Sequence, residues 1–464
     1  MEHNFDFLVL GGGSAGYAAA RTFHESGGTV ALVDGAEELG GLCILRGCMP
    51  SKTLMYPAEV LHMAQKGGVF GFDGESPRAN LSAMQARKKD VIAEFAEYRK
   101  GQIEDGRFSL FRSQGKFVDA HSVILDNGDL LKAGKILVST GSEVKVPPVP
   151  GLSKVKYQTS DDVLELDSVP PECVVLGGGV VACELAQFLS RVGSKVTILQ
   201  RSQRLLKGFP QSASDTLAGA MRREGIHLNL GVELNGFRQT DQNEILVSYS
   251  QGGEDKEIKT TFLFLALGRI PSTQFLNLDQ AGVHLLPSGH VKTNGFQQTD
   301  SPNIYAAGDC AGPHEIVHIA IKQGETAAMH ALGKKVMPLK YDSLLTVVFT
   351  DPQLAVVGLS PEEIKERGIE FSTASYPFDD HGKSILMEAK MGYVAVHAET
   401  RTGRVLGAEC AGKDAGELIH SMSVAVGLKA TVHDLMEADW YHPTLSEIWT
   451  YPLEDLAEEI PPKI

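Results

Sequence analysis

The chain has 464 residues, a formal net charge of −15, 43% hydrophobic and 22% charged residues. Its length exceeds what one compact core accommodates, so we expect two to four domains of ordinary globular composition. The negative charge argues against nucleic acid and anionic membranes as partners. No apolar run reaches the roughly 18 residues of a spanning helix, and the N-terminus lacks a signal-peptide pattern. We therefore expect a cytoplasmic protein with no membrane partner.

The first predicted elements are a strand, a glycine-rich turn, a helix and a second strand. An apolar run at Phe7–Leu10 precedes the turn, and the second apolar run ends at Asp34. This order is typical of a parallel βαβ unit. The turn glycines let the backbone approach a pyrophosphate, the helix N-terminus faces its negative charge, and the terminal carboxylate reaches a ribose. The predicted dinucleotide-binding residues are Gly11, Gly13, Ser14, Ala15, Gly16 and Asp34.

Two cysteines, Cys43 and Cys48, follow this unit between Gly40-Gly41 and Pro50-Ser51-Lys52. A close cysteine pair can cycle between dithiol and disulfide, and a nearby dinucleotide can supply or accept the two electrons. The chain's other cysteines are too sparse for a disulfide scaffold, and we expect them to be buried and unreactive. They are Cys173, Cys183, Cys310 and Cys410.

The βαβ pattern occurs a second time, from Cys173 to Gln200. A lone glycine-rich turn is a weak signal, but the right strand and helix context twice in one chain is a strong one. Ala182 replaces the third glycine, a replacement that the fingerprint tolerates. The residues predicted to bind a second dinucleotide are Gly177, Gly179, Val180, Val181 and Gln200.

Composition also predicts domain boundaries. A proline-rich stretch at 147–151 separates the two units, strands at 136–141 and 262–269 each end in a small-residue turn, and the pattern changes near residue 340. We predict an α/β fold with two Rossmann-like domains and a C-terminal α+β domain. The predicted segments are 1–149 and 270–339 for the first nucleotide domain, 150–269 for the second, and 340–464 for the α+β domain.

These motifs resemble, from end to end, the flavin-dependent pyridine nucleotide-disulfide oxidoreductases, which include dihydrolipoyl dehydrogenase, glutathione reductase and mercuric reductase. The resemblance implies an FAD domain, an inserted NAD(P) domain and a C-terminal dimerisation domain. It implies that Cys43 is the interchange thiol and that Cys48 lies against the flavin. His442 and Glu447 resemble the family's acid–base pair, which reaches across a homodimer to the partner's cysteines; a carboxylate beside the imidazole suits that role.

The resemblance also implies positions around the cofactors. Lys52 would lie near the flavin, paired with Glu184, and Asp309 would lie near the ribityl-phosphate region. Gly115 would contact the adenine of FAD through its backbone. No metal site is predicted. Further implied FAD contacts are Gly41, Thr140 and Gly141, and Gly268 is an implied NAD(P) contact.

Several features favour one branch of the family. Pro50-Ser51-Lys52, residues 140–144 and residues 442–447 look most like dihydrolipoyl dehydrogenase, so a small-molecule or lipoyl-protein disulfide is the expected substrate. An NADPH-dependent reductase of another small or protein disulfide, similar to glutathione reductase, stays open. A mercuric reductase is less favoured, because that branch has a further cysteine pair and no cysteine follows Cys410. A redox-sensing flavoprotein with little turnover is the alternative from another class, and His442–Glu447 favours the enzyme.

The nicotinamide cofactor is predicted from Gln200 and Arg201. NAD-dependent relatives usually carry a carboxylate where Gln200 stands, and an arginine favours a 2′-phosphate. Arg201, helped by Arg204 or Lys207, therefore favours NADPH; the alternative is a solvated Arg201 with Gln200 binding NAD. Residues 44–46, Ile-Leu-Arg, also depart from the Leu/Val-Asn-Val/Ile of the family.

Overall fold

The structure is a computed structural model that describes residues 1–74, 76–242 and 244–462. Its first strands are β1 (Glu2–Leu10), β2 (Val30–Val33), β3 (Ser109–Phe111), β4 (Gly115–Asp119), β5 (Ser122–Leu125), β6 (Leu130–Val138) and β7 (Ser142–Val144). The helices of this part are α1 (Ser14–His24), α2 (Leu42–Leu45), α3 (Cys48–Gln65) and α4 (Leu81–Glu104).

Six of these strands form a sheet in the order β3-β2-β1-β6-β5-β4, and a later strand pairs with β6. The neighbouring strands β3, β2, β1 and β6 run parallel to one another, whereas β5 pairs antiparallel with β6 and β4 pairs antiparallel with β5. All four residues of the run Phe7–Leu10 are buried. A continuous apolar run of this kind suits a central parallel strand that is covered on both faces.

The middle of the chain forms a second, smaller set of sheets. Its strands are β8 (Glu172–Leu176), β9 (Lys195–Gln200), β10 (His227–Leu230), β11 (Val232–Gln239), β12 (Ile245–Gln251), β13 (Glu254–Thr260), β14 (Leu263–Leu265) and β15 (Arg269–Pro271). Its helices are α5 (Ser160–Leu164), α6 (Val180–Arg191) and α7 (Gln211–Arg223). A parallel sheet has the order β10-β9-β8-β14, β11 to β13 form an antiparallel sheet, and β15 pairs antiparallel with β7. That last pair joins the two segments by which the chain enters and leaves this part.

The rest of the chain completes the first sheet and adds a third layer. It contains β16 (Ile304–Ala306), α8 (Val317–Ala331), β17 (Leu345–Val348), β18 (Gln353–Gly358), α9 (Pro361–Glu366), β19 (Phe371–Pro377), α10 (Gly382–Leu386), β20 (Tyr393–Glu399), β21 (Val405–Gly412), α11 (Ala415–Leu428), α12 (Val432–Met436) and α13 (Thr450–Glu459). The last five strands form an antiparallel sheet, β17-β18-β21-β20-β19. Short 3₁₀ helices occur at Gly67–Phe70, Leu152–Lys154, Leu278–Ala281, Phe378–Asp380 and Ser446–Trp449.

The predicted fold class is confirmed. Both predicted βαβ units are present, as β1-α1-β2 and β8-α6-β9, and the C-terminal part is an α+β layer. The exact domain boundaries stay a prediction. The four isolated cysteines are buried as expected, and burial raises their thiol pKa values, that of Cys310 to about 11. No helix within the described ranges is long and apolar enough to cross a bilayer.

One buried guanidinium joins three distant segments. Arg191, at the end of α6 and 6% exposed, lies 2.7 Å from Glu224 after α7 and 2.7 Å from Asp351 before β18. His62 of α3 places its Nε2 3.6 Å from Glu224 Oε1, and burial, with Arg191 next, lowers the pKa of this imidazole. The ligand-type atoms of His62, Glu224 and Asp351 lie within 4.8 Å of one another. Arg191 supplies the positive charge that these carboxylates need.

Candidate active site

A groove of about 420 Å³ runs along the carboxyl ends of β1, β2 and β6. At its floor Gly11 has φ +102°, and a Cβ there would lie 2.4 Å from the Ser139 carbonyl oxygen. Gly16 does not line the groove; a Cβ there would meet the Gly11 carbonyl oxygen at 1.9 Å, so this glycine permits close packing of helix on strand. Predicted residues that line the groove are Gly11, Gly13, Asp34, Gly41, Gly115, Thr140 and Gly141.

The Asp34 carboxylate is held in place at the end of β2. Its Oδ2 accepts a hydrogen bond from the Gly12 N–H at 2.9 Å, and its Oδ1 accepts one from the Ala36 N–H at 2.9 Å. Helix α1 begins at Ser14, with Gly13 as the residue before it. The groove thus combines a fixed carboxylate with the unpaired N–H groups of a helix N-terminus, the donor set that binds a nucleotide ribose and pyrophosphate.

A second cavity, of about 140 Å³, continues this groove to the cysteine pair. It shares Gly13, Leu42, Ser139 and Gly141 with the groove. Its other lining residues include Ser14, Ala15, Cys43, Gly47, Cys48, Asp309 and Glu315. The structure therefore brings the first glycine-rich turn, Asp309 and both cysteines to one continuous channel.

The two thiols have opposite pKa shifts. The Cys43 thiol donates a hydrogen bond to Cys48, which lowers the pKa of Cys48 to about 7, and the positive charge of Lys52 acts in the same direction. The same hydrogen bond, with burial, raises the pKa of Cys43 far above its usual range. Cys48 is also the first residue of α3, where a thiolate is favoured. In the reduced pair, Cys48 is the thiol that loses its proton at the lower pH.

Lys52 and Glu184 form the ion pair that the resemblance implied. Lys52 Nζ lies 2.7 Å from Glu184 Oε2, with side-chain exposures of 32% and 4%. Glu184 Oε1 accepts a hydrogen bond from the Phe349 N–H at 2.9 Å, and the ammonium lies 4.8 Å from the centre of the Phe349 ring. The pair fixes a cation one helical turn after Cys48.

His442 and Glu447 also form a pair, but away from the chain's own cysteines. His442 Nδ1 lies 2.7 Å from Glu447 Oε1 and 3.0 Å from Oε2. The His442 side chain is 75% exposed and that of Glu447 17%. Within the described ranges, His442 is not one of the residues lining the cavity around Cys43 and Cys48.

The second glycine-rich turn resembles the first in form. Gly177 has φ +113°, and a Cβ there would lie 2.3 Å from the Ala266 carbonyl oxygen. Gln200 lies next to this turn, as Asp34 lies next to the first, and its Oε1 accepts a hydrogen bond from the Arg201 N–H at 3.1 Å. Helix α6 begins directly after Gly179 with the predicted contacts Val180 and Val181. Gly268, with φ +99°, ends the loop after β14.

Of the basic residues near Gln200, Arg201 is exposed and Arg204 is already engaged. Arg204 donates to Gln211 Oε1 at 3.0 Å and to the Lys207 carbonyl oxygen at 2.7 Å. The side chain of Arg201 has no ion-pair partner within the described ranges. Arg201 is thus an exposed cation next to Gln200, and Lys207 is exposed as well.

Most of the chain matches one known protein family. Residues 5–324 match the family described as pyridine nucleotide-disulphide oxidoreductase, and residues 344–452 match the dimerisation domain of that family. The chain is a pyridine nucleotide-disulphide oxidoreductase.

Relatives of this oxidoreductase carry two different names. It is 32% identical over 447 residues to a mercuric reductase of Lysinibacillus sphaericus, covering 96% of this chain and 81% of the relative. It is 31% identical over 453 residues to a dihydrolipoyl dehydrogenase of Chlamydia muridarum, covering 97% and 96%.

Solved structures share its fold. The HOCl-induced flavoprotein disulfide reductase RclA of Escherichia coli matches with a TM-score of 0.86 and 24% identity, covering 97% of this chain and 99% of that one. LpdA of Mycobacterium tuberculosis matches with a TM-score of 0.88 and 25% identity, covering 98% and 99%.

The oxidoreductase uses FAD and NAD(P)H and acts on sulfur groups. The residues of the first groove fit FAD. Gly41 has φ +77°, and a Cβ there would lie 2.7 Å from Gly13 Cα, so the channel stays open only because glycines face each other. Asp34 and the start of α1 supply the donor and acceptor groups that the adenosine and pyrophosphate parts need.

Sequence reasoning missed three polar residues of this channel. Ser142 Oγ donates to Asp309 Oδ2 at 2.7 Å. Arg269 donates through Nε to Ser142 Oγ at 2.7 Å and through a terminal nitrogen to the Ser142 carbonyl oxygen at 2.6 Å. Burial, with the nearby Asp309 charge, raises the pKa of Glu315. The one available signal was the position of Arg269 directly after Gly268.

Proposed function

We propose that the chain moves electrons between NAD(P)H and a small disulfide or dithiol through Cys43 and Cys48, in the manner of dihydrolipoyl dehydrogenase. The observation that carries this proposal is that Cys43 and Cys48 line one cavity, which continues the groove that fits FAD. Bound FAD supplies the two-electron link between the nicotinamide and these thiols. The Lys52–Glu184 pair would hold positive charge near Cys48 and stabilise its thiolate.

In the reductive direction, each turnover consumes NAD(P)H, one proton and one disulfide, and yields NAD(P)⁺ and two thiols. Cys43 attacks one substrate sulfur, so that a mixed disulfide forms and the substrate disulfide breaks. Cys48 then attacks the Cys43 sulfur, which restores the Cys43–Cys48 disulfide and releases the second substrate thiol. Two electrons from NAD(P)H reduce this disulfide again.

Cys43 needs a base before it can attack, because its pKa is raised and it stays protonated when Cys48 has lost its proton. We assign that role to His442 of the partner subunit in a homodimer. The exposed His442 and the dimerisation domain at residues 344–452 support the assignment. Glu447 would orient the imidazole and stabilise its protonated form.

The experiment combines rapid mixing with turnover. NAD(P)H should reduce the flavin of the wild type and then support steady reduction of lipoamide. Cys48→Ser should keep FAD and lose disulfide turnover by orders of magnitude, while Cys410→Ser, at a buried thiol outside the channel, should keep both. Near-normal lipoamide turnover by Cys48→Ser would contradict the proposal. Flavin reduction with no turnover of any disulfide would favour a redox sensor.

A second candidate is mercuric-ion reduction, because a mercuric reductase is similar over 96% of this chain. Soft thiolates are the preferred ligands of soft metal ions, and the channel offers two, Cys43 and Cys48. NADPH oxidation that depends on Hg²⁺, and whose Hg²⁺-dependent part persists when lipoamide is present at a saturating concentration, would favour this function.

A further inference from the structure

An arginine without an anionic partner lies between α1 and α4. The guanidinium carbon of Arg99, on α4, lies 4.1 Å from the centre of the Tyr17 ring, on α1. Its Nε is shielded from solvent and has no hydrogen-bond partner, and no carboxylate within the described ranges forms an ion pair with it. The Oε1 of Gln102, one turn further along α4, is likewise shielded and unpaired.

The neighbouring arginines differ from Arg99 in this respect. Arg21 lies 3.0 Å from Glu325, and Arg107 lies 2.7 Å from Asp105. The chain carries 58 acidic and 43 basic residues, so carboxylates are plentiful. Within the described ranges, Arg99 thus lacks a carboxylate partner although the two arginines near Tyr17 each have one.

The Arg99 side chain is half-buried, and a shielded N–H without a hydrogen-bond partner carries a desolvation cost. Burial is the main cause that lowers the pKa of Arg99, because partial desolvation disfavours the charged form. The face of the Tyr17 ring offsets part of that cost and holds the guanidinium plane in one orientation. A planar guanidinium with free N–H groups binds a carboxylate through two parallel hydrogen bonds.

Arg99 is also near the interchange thiol. Helix α4 packs against α2, the short helix that contains Cys43. Tyr17, which Arg99 contacts, is two residues after Ala15, and Ala15 lines the cavity that contains Cys43. Within the described ranges, Arg99 does not line the FAD channel.

We propose that Arg99 binds a carboxylate of the disulfide substrate while a substrate sulfur meets Cys43. The inference rests on the function proposed above and makes it narrower: the preferred substrate is a small disulfide that carries a carboxylate, and Arg99 determines this specificity. Tyr17 acts as a positioning residue, since the face of its ring packs against the guanidinium.

The test uses lipoate and lipoamide, which contain the same dithiolane ring. Lipoate carries a carboxylate where lipoamide carries a neutral amide. The wild type should reduce lipoate with the higher kcat/KM. Arg99→Gln should raise the KM for lipoate on the order of ten- to a hundredfold, the value of one charge-assisted hydrogen bond, with kcat nearly unchanged. The lipoamide constants should change less than about twofold, by the same reasoning, and Arg99→Lys should restore part of the lipoate affinity.

Lys100→Gln is the matched control, because it removes the same charge from the next position of α4, where the side chain is 48% exposed and 3.9 Å from Glu97. It should leave both dithiolanes unchanged. Flavin reduction by NAD(P)H, followed by rapid mixing, should be the same in all variants.

The outcomes separate the two proposals. If the wild type turns over lipoamide and Arg99→Gln leaves the lipoate-to-lipoamide ratio unchanged, the substrate assignment is overturned and the disulfide activity stands. If NAD(P)H reduces the flavin but neither dithiolane is turned over, the proposed function itself is contradicted, and the assignment falls with it. If Arg99→Gln instead converts the dimer to monomers, Arg99 pairs with the partner subunit and the assignment is wrong.

Discussion

Lys52 Nζ and Glu184 Oε2 lie 2.7 Å apart, and this contact joins the helix that begins at Cys48 to the helix that follows the second glycine-rich turn. The carboxylate is the more deeply buried partner, at 4% exposure against 32%. Its remaining oxygen accepts the Phe349 N–H. One side chain therefore connects the thiol site, the helix after the second glycine-rich turn and the C-terminal layer.

Lys52→Met should destabilise the protein by about 1–3 kcal/mol, the cost of leaving a buried acceptor without its partner. Glu184→Gln in the same chain should recover part of that loss, since the uncompensated charge is removed. Urea unfolding of the two single variants and the double variant measures the coupling. Lys100→Met is the control, because its exposed pair with Glu97 should contribute less than about 1 kcal/mol. Strict additivity of the two changes would contradict a direct interaction.

The reactivity of Cys48 should follow a pKa of about 7. Because the thiolate is the nucleophile, the rate of Cys48 alkylation in the reduced protein should rise with pH through that value and level off above it. Cys43→Ala removes the hydrogen-bond donor that lowers this pKa most, so the midpoint should move to higher pH. Lys52→Met should move it in the same direction. Peptide mass spectrometry after iodoacetamide treatment identifies the modified thiol; an unchanged midpoint in Cys43→Ala would show that Cys43 does not lower the pKa of Cys48.

The partner assignment of His442 predicts complementation between two inactive variants. Cys43→Ser and His442→Ala homodimers should each be nearly inactive in disulfide turnover. A mixed dimer contains one site with both an intact cysteine pair and an intact imidazole, so it should regain up to about half of the wild-type rate, on the reasoning that base catalysis needs only one positioned group for each site. Differently tagged subunits allow the mixed dimer to be isolated. A verified mixed dimer without activity, or an active monomer, would show that the site is not shared.

Arg201 should determine the preference for NADPH. It is the exposed cation beside Gln200, whereas the Arg204 side chain is engaged by Gln211 and the Lys207 carbonyl. A charge-assisted hydrogen bond to the 2′-phosphate contributes roughly 1.5–3 kcal/mol, so Arg201→Ala should raise the KM for NADPH on the order of ten- to a hundredfold. The KM for NADH should hardly change. The measurement is the kcat/KM ratio of the two cofactors, with Arg222→Ala as a control that removes one exposed charge from the same part of the chain. A wild type that prefers NADH would indicate that Gln200 alone contacts the ribose.

The sequence predicted the elements that depend on local pattern. The two glycine-rich turns and the strands on either side of them follow from periodicity and turn chemistry, and all are present. The His442–Glu447 contact spans five residues, so its geometry is also local.

The contacts that depend on distant segments were not visible in the sequence. Ser142 meets Asp309 because β7 and the loop after β16 lie at the same edge of the first sheet. Arg99 contacts Tyr17 because α4 lies beside α1, although the two residues are far apart in the sequence. Neither pair leaves a periodic or spacing signal, since each depends on how the layers pack. The Lys52–Glu184 pair is of the same kind, and only the family resemblance indicated it.

The cluster around Arg191 has a consequence for how the protein unfolds on heating. The guanidinium is 6% exposed, and it holds carboxylates from the middle and the C-terminal parts of the chain. Separating either part leaves a buried charge without its partner, which costs more than the contact itself contributes. We therefore expect the two parts to melt together, as one cooperative transition in calorimetry, and Arg191→Met to split that transition in two.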